Sequence, residues 1–217
     1  MDKKYKNLFF DLDGTLTDSG EGITNSVKHA LKYFNIEVKD KAELKKFVGP
    51  PLGESFKNFY NLNEEEVQLA IEKYREYFKE KGIFENRVYE GIEDLLEKLC
   101  EDGKKIFLAT SKPEIFARQI LKYFNLEKYF TYIKGASMDL SISKKAQIVE
   151  IVINENNLKL EETIMIGDRR EDVFGASENH IDSIGVLYGY GDYEELSKAE
   201  ATYIVKDVKE LSKVLFN

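Results

Sequence analysis

Apolar residues enter this 217-residue chain in two rhythms. Four short runs, YKNLFF (5–10), KIFLAT (105–110), TIMIGD (163–168) and DSIGVL (182–187), are continuous and end in turn-forming text, so each predicts a buried strand. Between them apolar residues recur at helical spacing: Ile92, Leu95, Leu96 and Leu99 up to Gly103; Ile115, Phe116, Ile120 and Phe124; Ile148, Val149, Ile151 and Val152. That spacing gathers each set on one helical face. Strands alternating with helices predict an α/β fold, with a Rossmann-like parallel sheet covered on both sides. TYIVKD (202–207) and VKELSKVLF (208–216) add an edge strand and a closing helix.

Residues 17–86 break the alternation. Ile23, Val27, Ala30, Leu31 and Phe34 mark one helical face, Val67, Ile71, Tyr74 and Phe78 another, and no strand pattern separates them. Asn63 ahead of three glutamates is an N-cap with an acidic first turn, and Gly82 is a stop signal after Phe78. The expected organisation is a core of residues 1–16 and 87–217, with an all-helical cap subdomain, 17–86, inserted early. No internal repeat or low-complexity run is present.

Composition narrows the function. A content of 42% hydrophobic and 33% charged residues is that of an ordinary globular protein, which excludes disorder. The formal charge of −8 argues against a nucleic acid polymer as the partner, since backbone binding needs clustered Lys and Arg. MDKKYKNLFF has too few apolar residues for a signal peptide, and no apolar stretch is long enough to span a membrane, so the expected location is the cytoplasm. The single cysteine, Cys100, excludes an internal disulfide; lying on the Leu96–Leu99 stripe, it is expected to be a small buried hydrophobe. His29 and His180 lie far apart in polar text and are expected at the surface or a helix end, not on zinc.

The candidate chemistry begins at FFDLDGTLTDS (9–19). At an extended strand end, residues i and i+2 point the same way, so Asp11 and Asp13 face one point while Leu12 turns into the core. Converging carboxylates raise each other's pKa and favour a bound cation or one protonated member. Two further strands end in similar text. FLATSK offers the Thr110 hydroxyl and a Ser111 N–H group ahead of a helix opened by Pro113, and MIGDRRED adds Asp168 and Asp172. Ligands bind open parallel sheets at the carboxyl ends of their strands. Four aspartates alone would repel a phosphate dianion, so a Mg²⁺ ion, which takes carboxylates together with substrate phosphate, is required. Lys144 and Lys145, at a helix start in SISKKAQIV, supply a candidate lysine to complete the neutralisation.

Other phosphate and metal motifs fail. DLDGTLTDSGEG has glycine fourth and Gly22 twelfth, where a calcium loop needs glycine sixth and glutamate twelfth. GPPLGES (49–55) has three residues between its glycines and Glu54 in place of the P-loop lysine, and looks like a cap loop leaning over the site. GYGDYE (189–194) carries Glu194 at the third glycine position of a dinucleotide fingerprint, and no G-x-S-x-G is present.

DLDGTLTDS, LATSK, SKKAQIV and GDRRED, in that order, resemble the four motifs of the haloacid dehalogenase superfamily, and most closely its phosphoglycolate phosphatase-like branch. The resemblance covers nearly the whole chain and places the cap between the first two motifs. About 34 residues separate Ser111 from Lys145, too few for a second globular cap. It implies a phosphatase working through a phosphoaspartate: Asp11 attacks phosphorus, and Asp13 protonates the leaving oxygen and then activates water. It also implies Mg²⁺ held by Asp11, the backbone carbonyl of Asp13 and Asp168, with Asp172 behind them and Gly167 letting the backbone pass close. Thr110, the Ser111 N–H and a lysine would bind the phosphate oxygens; spacing to Ile148 and Val149 matches related sequences best for Lys145. Asp13 sets the chain apart from dehalogenases, whose halide leaving group needs no proton.

The implied partner is a small phosphorylated metabolite, with phosphoglycolate first by family proximity, acted on by a monomer or homodimer. Nucleotides and pyrophosphate are alternatives. A β-phosphoglucomutase-like phosphotransferase shares every core residue, and a non-catalytic phosphate-binding module is a reading of another class. Lys57 and Arg75 of the cap are candidates to meet a second anion.

Overall fold

The computed structural model describes residues 5–216. Six parallel strands form one sheet: β1 (Asn7–Phe10), β4 (Lys105–Pro113), β5 (Tyr132–Ala136), β6 (Thr163–Gly167), β7 (Asp182–Val186) and β8 (Tyr203–Val205), in the order β5-β4-β1-β6-β7-β8. β1 is central because all four of its residues are apolar or inward-facing, and none is exposed. Its period of two sorts the sheet faces. Phe9 is in register with Phe107 and Met165, and this row packs with Ile148, Val149 and Val152 of α6 (Lys145–Asn156) and Ala176 of α7 (Arg170–Glu178). Leu8 and Phe10, with Ile106, Leu108, Ile164 and Ile166, face the opposite way onto α4 (Ile92–Glu101), α5 (Glu114–Tyr123) and α9 (Val208–Phe216). Phe9→Ala would cut a fully buried ring from the first face, at a cost of about 3–5 kcal/mol.

The segment between the first two core strands is helical. It runs through α1 (Gly20–Tyr33), a tight turn at Lys41–Phe47, α2 (Leu52–Tyr60) and α3 (Glu64–Tyr77), which ends in one wide turn, Phe78–Gly82. α3 starts where expected, because the Asn63 side chain accepts from the Glu66 N–H at 3.0 Å while Glu66 returns the bond at 2.9 Å. The chain enters and leaves this segment through two short antiparallel strands, β2 (Thr17–Asp18) and β3 (Arg87–Val88), tied by an Asp18–Arg87 ion pair at 2.7 Å. A short helix, α8 (Tyr193–Lys198), lies between β7 and β8.

Several expectations change. The edge strand β5 was not predicted, since YIKGA carries a lysine and a glycine in place of a continuous apolar run. Thr17 and Asp18 are extended within a stretch expected to hold no strand. Helical geometry continues past Phe78 to Gly82, where the chain ends its turn against Gly22 and Ser26 of α1. Ile115 is exposed, leaving Phe116 and Ile120 to bury the face of α5. Cys100 is exposed too: Leu96 and Leu99 fill the interface, and Cys100, in the last turn of α4, reaches the Tyr129 carbonyl with its thiol at 3.7 Å. His29 is exposed on α1, and His180 occupies the left-handed turn after α7. Residues 1–4 of the N-terminal text and Asn217 lie outside the described residues. Among the described residues no helix is long and apolar enough to cross a membrane.

Candidate active site

β4, β1 and β6 are neighbours in the sheet, so the polar text after each converges at their carboxyl ends. The Asp11 N–H continues the ladder one residue past β1, donating to Ile166 O at 2.9 Å, and thereby fixes where the Asp11 side chain emerges. The chain then turns back sharply, with the Leu16 and Thr17 N–H groups both donating to Leu12 O at 3.0 Å. Gly14 makes the turn at φ +85°, and a Cβ there would strike the Asp168 carboxylate. Both conformation and space therefore demand glycine.

One carboxylate oxygen from each of Asp11, Asp168 and Asp172 lies within 4.8 Å of the others, and all three residues are buried. Lys145 answers part of that charge. Its ammonium donates to Asp11 Oδ1 at 2.7 Å and to Ala109 O at 2.9 Å, and stands 2.8 Å from Asp172 Oδ1. Burial alone would lower the pKa of this lysine, but the facing carboxylates outweigh it and hold the group charged. Asp172 is pushed up to about 6, by burial and by Asp11, with Lys145 opposing. Asp168 is raised well above its ordinary value by burial and by Asp172 and Asp11, although the Tyr190 N–H donates to its Oδ2 at 2.7 Å. The most buried carboxylate is thus the least compensated by the protein's own cations. A cluster of hard oxygen donors with surplus negative charge suits a hard divalent cation.

Asp13 is set apart. Its carboxylate accepts two bonds from the buried Lys112 ammonium, at 3.1 and 2.8 Å, and that ammonium lies 4.7 Å from the centre of the Phe78 ring. Two aspartates two positions apart therefore have different cationic partners, one from β4 and one from α6. Thr110 is buried with its hydroxyl accepting from the Lys112 N–H at 3.2 Å, while the Ser111 hydroxyl is enclosed without a protein partner. An orphaned hydroxyl beside Lys112 and Asp13 is free to meet a ligand oxygen.

Above these groups, core and helical segment frame a narrow cleft with about 80 Å³ of water-accessible space. Asp13, Ser111 and Lys112 lie at its floor, and Phe47, the Gly49–Pro51 lip, Tyr74, Arg75 and Phe78 form the other side. The loop after β7 closes the flank. Tyr190 holds Asp168 through its backbone, while its hydroxyl bonds Asp18 and receives the Gly20 N–H at 2.7 Å, so it joins the carboxylate cluster to the strand that enters the helical segment.

The structure thus brings Asp11, Asp168, Asp172 and Lys145 together, and puts Asp13, Thr110 and Ser111 beside them. Lys144 is the residue before α6 and makes no such contact among the described bonds. Arg75 lines the cleft and donates to Met138 O at 3.0 Å, whereas Lys57 is exposed and pairs with Glu64 at 2.8 Å. Sequence reasoning missed Lys112, because a Ser-Lys-Pro turn ordinarily leaves its lysine in solvent; its place directly after the polar end of a central strand was the available signal. It also set GYGDYE aside as a failed dinucleotide motif, although the loop grips Asp168.

Comparison with known proteins places these features. Residues 8–186 match the family described as haloacid dehalogenase-like hydrolase. The chain is 42% identical to a 5'-nucleotidase of Pseudomonas aeruginosa, over 98% of this chain and 96% of that protein. It is 26% identical to a phosphoglycolate phosphatase of Vibrio parahaemolyticus, over 97% and 96% of the two. Among solved structures, that of a predicted phosphatase from Clostridium acetobutylicum superimposes with a TM-score of 0.96 at 52% identity, covering 98% of both chains.

Proposed function

The chain belongs to the haloacid dehalogenase-like hydrolase family and is a phosphatase, and on that premise we propose that it hydrolyses a small phosphate monoester through a phosphoaspartate at Asp11, with Mg²⁺ as its cofactor. The observation that carries this reading is the separate partnering of the two aspartates. Asp11 sits with Lys145 in the carboxylate cluster, and Asp13 sits with Lys112 at the floor of the cleft. Paired titratable groups in different surroundings are suited to different roles, here nucleophile and acid–base.

Asp11 attacks phosphorus as the ester P–O bond breaks, and Asp13 gives its proton to the departing alkoxide. Asp13 then takes a proton from water, whose oxygen bonds phosphorus and releases the Asp11 carboxylate. Lys145, the Thr110 hydroxyl and the Ser111 N–H neutralise the phosphoryl oxygens. Asp172 acts through Lys145, whose ammonium it pairs with at 2.8 Å. Asp11, Asp168 and the Asp13 carbonyl would hold Mg²⁺, which would supply the positive charge that a phosphate dianion needs to approach four aspartates.

The cleft favours a nucleoside 5'-monophosphate over the phosphoglycolate ranked first from sequence. Rings of Phe47, Tyr74, Phe78 and Phe116 line it, which suits a flat base. Its two cations are engaged, Lys112 with Asp13 and Arg75 with Met138 O. Phosphoglycolate is the second reading, because Arg75 could exchange that carbonyl for a carboxylate. The test is phosphate release with Mg²⁺ present across nucleoside monophosphates, phosphoglycolate, sugar phosphates and pyrophosphate. Preference for nucleotides, without any bisphosphate activator, is the expected result. Preference for phosphoglycolate would overturn the substrate assignment, and a requirement for a bisphosphate would make the enzyme a phosphotransferase.

A further inference from the structure

One side chain runs from the turn between Asp168 and α7, the helix that carries Asp172, directly to the lip of the helical segment. Arg169 follows Asp168 in sequence, and its side chain is only 12% exposed. Its guanidinium donates through Nε to Glu195 Oε1 at 2.8 Å and through NH1 to Val48 O at 2.5 Å, while its backbone N–H donates to Asp172 Oδ2 at 3.1 Å. Val48 is fully buried at the end of the Lys41–Phe47 turn, and the next residues, Gly49 to Pro51, form the lip of the cleft. The lip is shaped to this contact. Gly49 stands at φ +105°, and a Cβ there would come within 2.7 Å of Arg169 Cγ.

A guanidinium is a planar fork with fixed donor directions, so one held by Glu195 has little freedom to seek another acceptor. Swinging the lip away would strip Arg169 of the Val48 carbonyl and leave a partly buried charge in search of a partner. The same residue's backbone restrains Asp172, so the contact that shuts the cleft begins on the loop that orders the carboxylates.

We propose that Arg169 is a positioning residue that latches the closed cleft by holding the Val48–Gly49 lip onto the Asp168 loop, with Glu195 as the anchor that aims it. The latch concerns the position of the helical segment, so its test is independent of the substrate and the metal.

The chain has one cysteine, Cys100, exposed on α4. Adding Glu65→Cys at an exposed position of α3 gives two spin-label sites, one on each side of the cleft. Pulsed EPR on this parent should show one dominant distance. Arg169→Ala should shift population to a displaced distance, raising the open-to-closed ratio on the order of tenfold. Gly49→Ala, which pushes the lip off Arg169 from the other side, should produce the same displaced population. The double variant should go no further than either alone, since both remove one contact. Arg169→Lys, which keeps the charge but lacks the fork, should fall between. A parent-like distribution in a cooperatively folding Arg169→Ala, or additive shifts in the double variant, would overturn the proposal. Where Arg169→Ala does not fold, Gly49→Ala and Arg169→Lys decide: parent-like distributions in both overturn it, and displaced ones support it.

Discussion

The floor and the roof of the cleft are built from different materials. The floor is made of buried charges with directional partners: Asp11 on Lys145, Asp13 on Lys112 and Asp168 on the Tyr190 N–H. The roof offers the rings of Phe47, Tyr74 and Phe78, with Arg75 as its one cation at the cleft among the described residues. Directional charge suits a phosphoryl group, which has the same shape in every substrate. Apolar surface suits a leaving group, which does not. Changes in the floor should therefore reduce turnover of all substrates alike, and changes in the roof should alter which substrate is preferred.

The sharpest way to break that division is at Asp11. Asp11→Asn keeps the size of the side chain and removes the proposed nucleophile, so turnover of every substrate should fall by at least about 10⁴-fold; residual activity that varied by substrate would blur floor and roof.

Lys145→Ala comes next. It leaves Asp11 and Asp172 facing each other without their shared ammonium, so kcat should drop by roughly 10²- to 10³-fold. The metal-free protein should also lose about 3–5 kcal/mol in a denaturant titration. Lys144→Ala, outside the cluster, should stay within about 0.5 kcal/mol and keep near-normal turnover.

In the roof, Phe78→Ala removes the ring beneath which the Lys112 ammonium lies and opens the cleft. It should change the ratio of kcat/KM between a nucleotide and phosphoglycolate by about 10- to 100-fold. An equal loss for both would mean that the ring serves the floor.

A smaller effect lies in the floor's own stability. Carboxyls raised on folding bind protons more tightly in the native protein than in the unfolded chain, and stability then falls as pH rises between the two pKa values. With Asp172 pushed up to about 6 and Asp168 raised too, the thermal midpoint of the metal-free protein should climb as pH is lowered from about 7 to about 5. Mg²⁺ should raise the midpoint near neutral pH and flatten the slope. A metal-free protein that lost stability over that interval would show that the cluster carries no uncompensated charge.

The floor was more legible in the sequence than the roof, for physical reasons. Aspartates at i and i+2 after an apolar strand share its carboxyl end, and three polar strand ends on neighbouring strands must meet, so Asp11, Asp13, Thr110, Ser111, Asp168 and Asp172 were all readable as candidates; that Asp11 and Asp13 would face one point did not hold, because Lys112 takes the Asp13 carboxylate and leaves it outside the cluster of Asp11, Asp168 and Asp172. Lys112 was not, because its burial depends on the Phe78 ring arriving from a segment distant in sequence. Arg169 and Tyr190 escaped for the same reason: each is defined by a contact distant in sequence, Arg169 with Val48 of the helical segment and Tyr190 with Asp18 of β2. Helical periodicity revealed that α1 and α3 each bury one face, but not how those faces pack to frame a cleft. The exposed Cys100 is the converse case, a residue on the right stripe whose helix ends before the interface covers it.

The most direct test of the account is to trap the covalent intermediate. The enzyme is mixed with Mg²⁺ and the preferred monoester, quenched within a turnover and reduced with borohydride, which converts an aspartyl phosphate to homoserine, and the peptides are read by mass spectrometry. Conversion at Asp11, absent without substrate, is the result expected. Full turnover with Asp11 unreduced, or conversion at Asp13, Asp168 or Asp172 in its place, would contradict the assignment of the nucleophile.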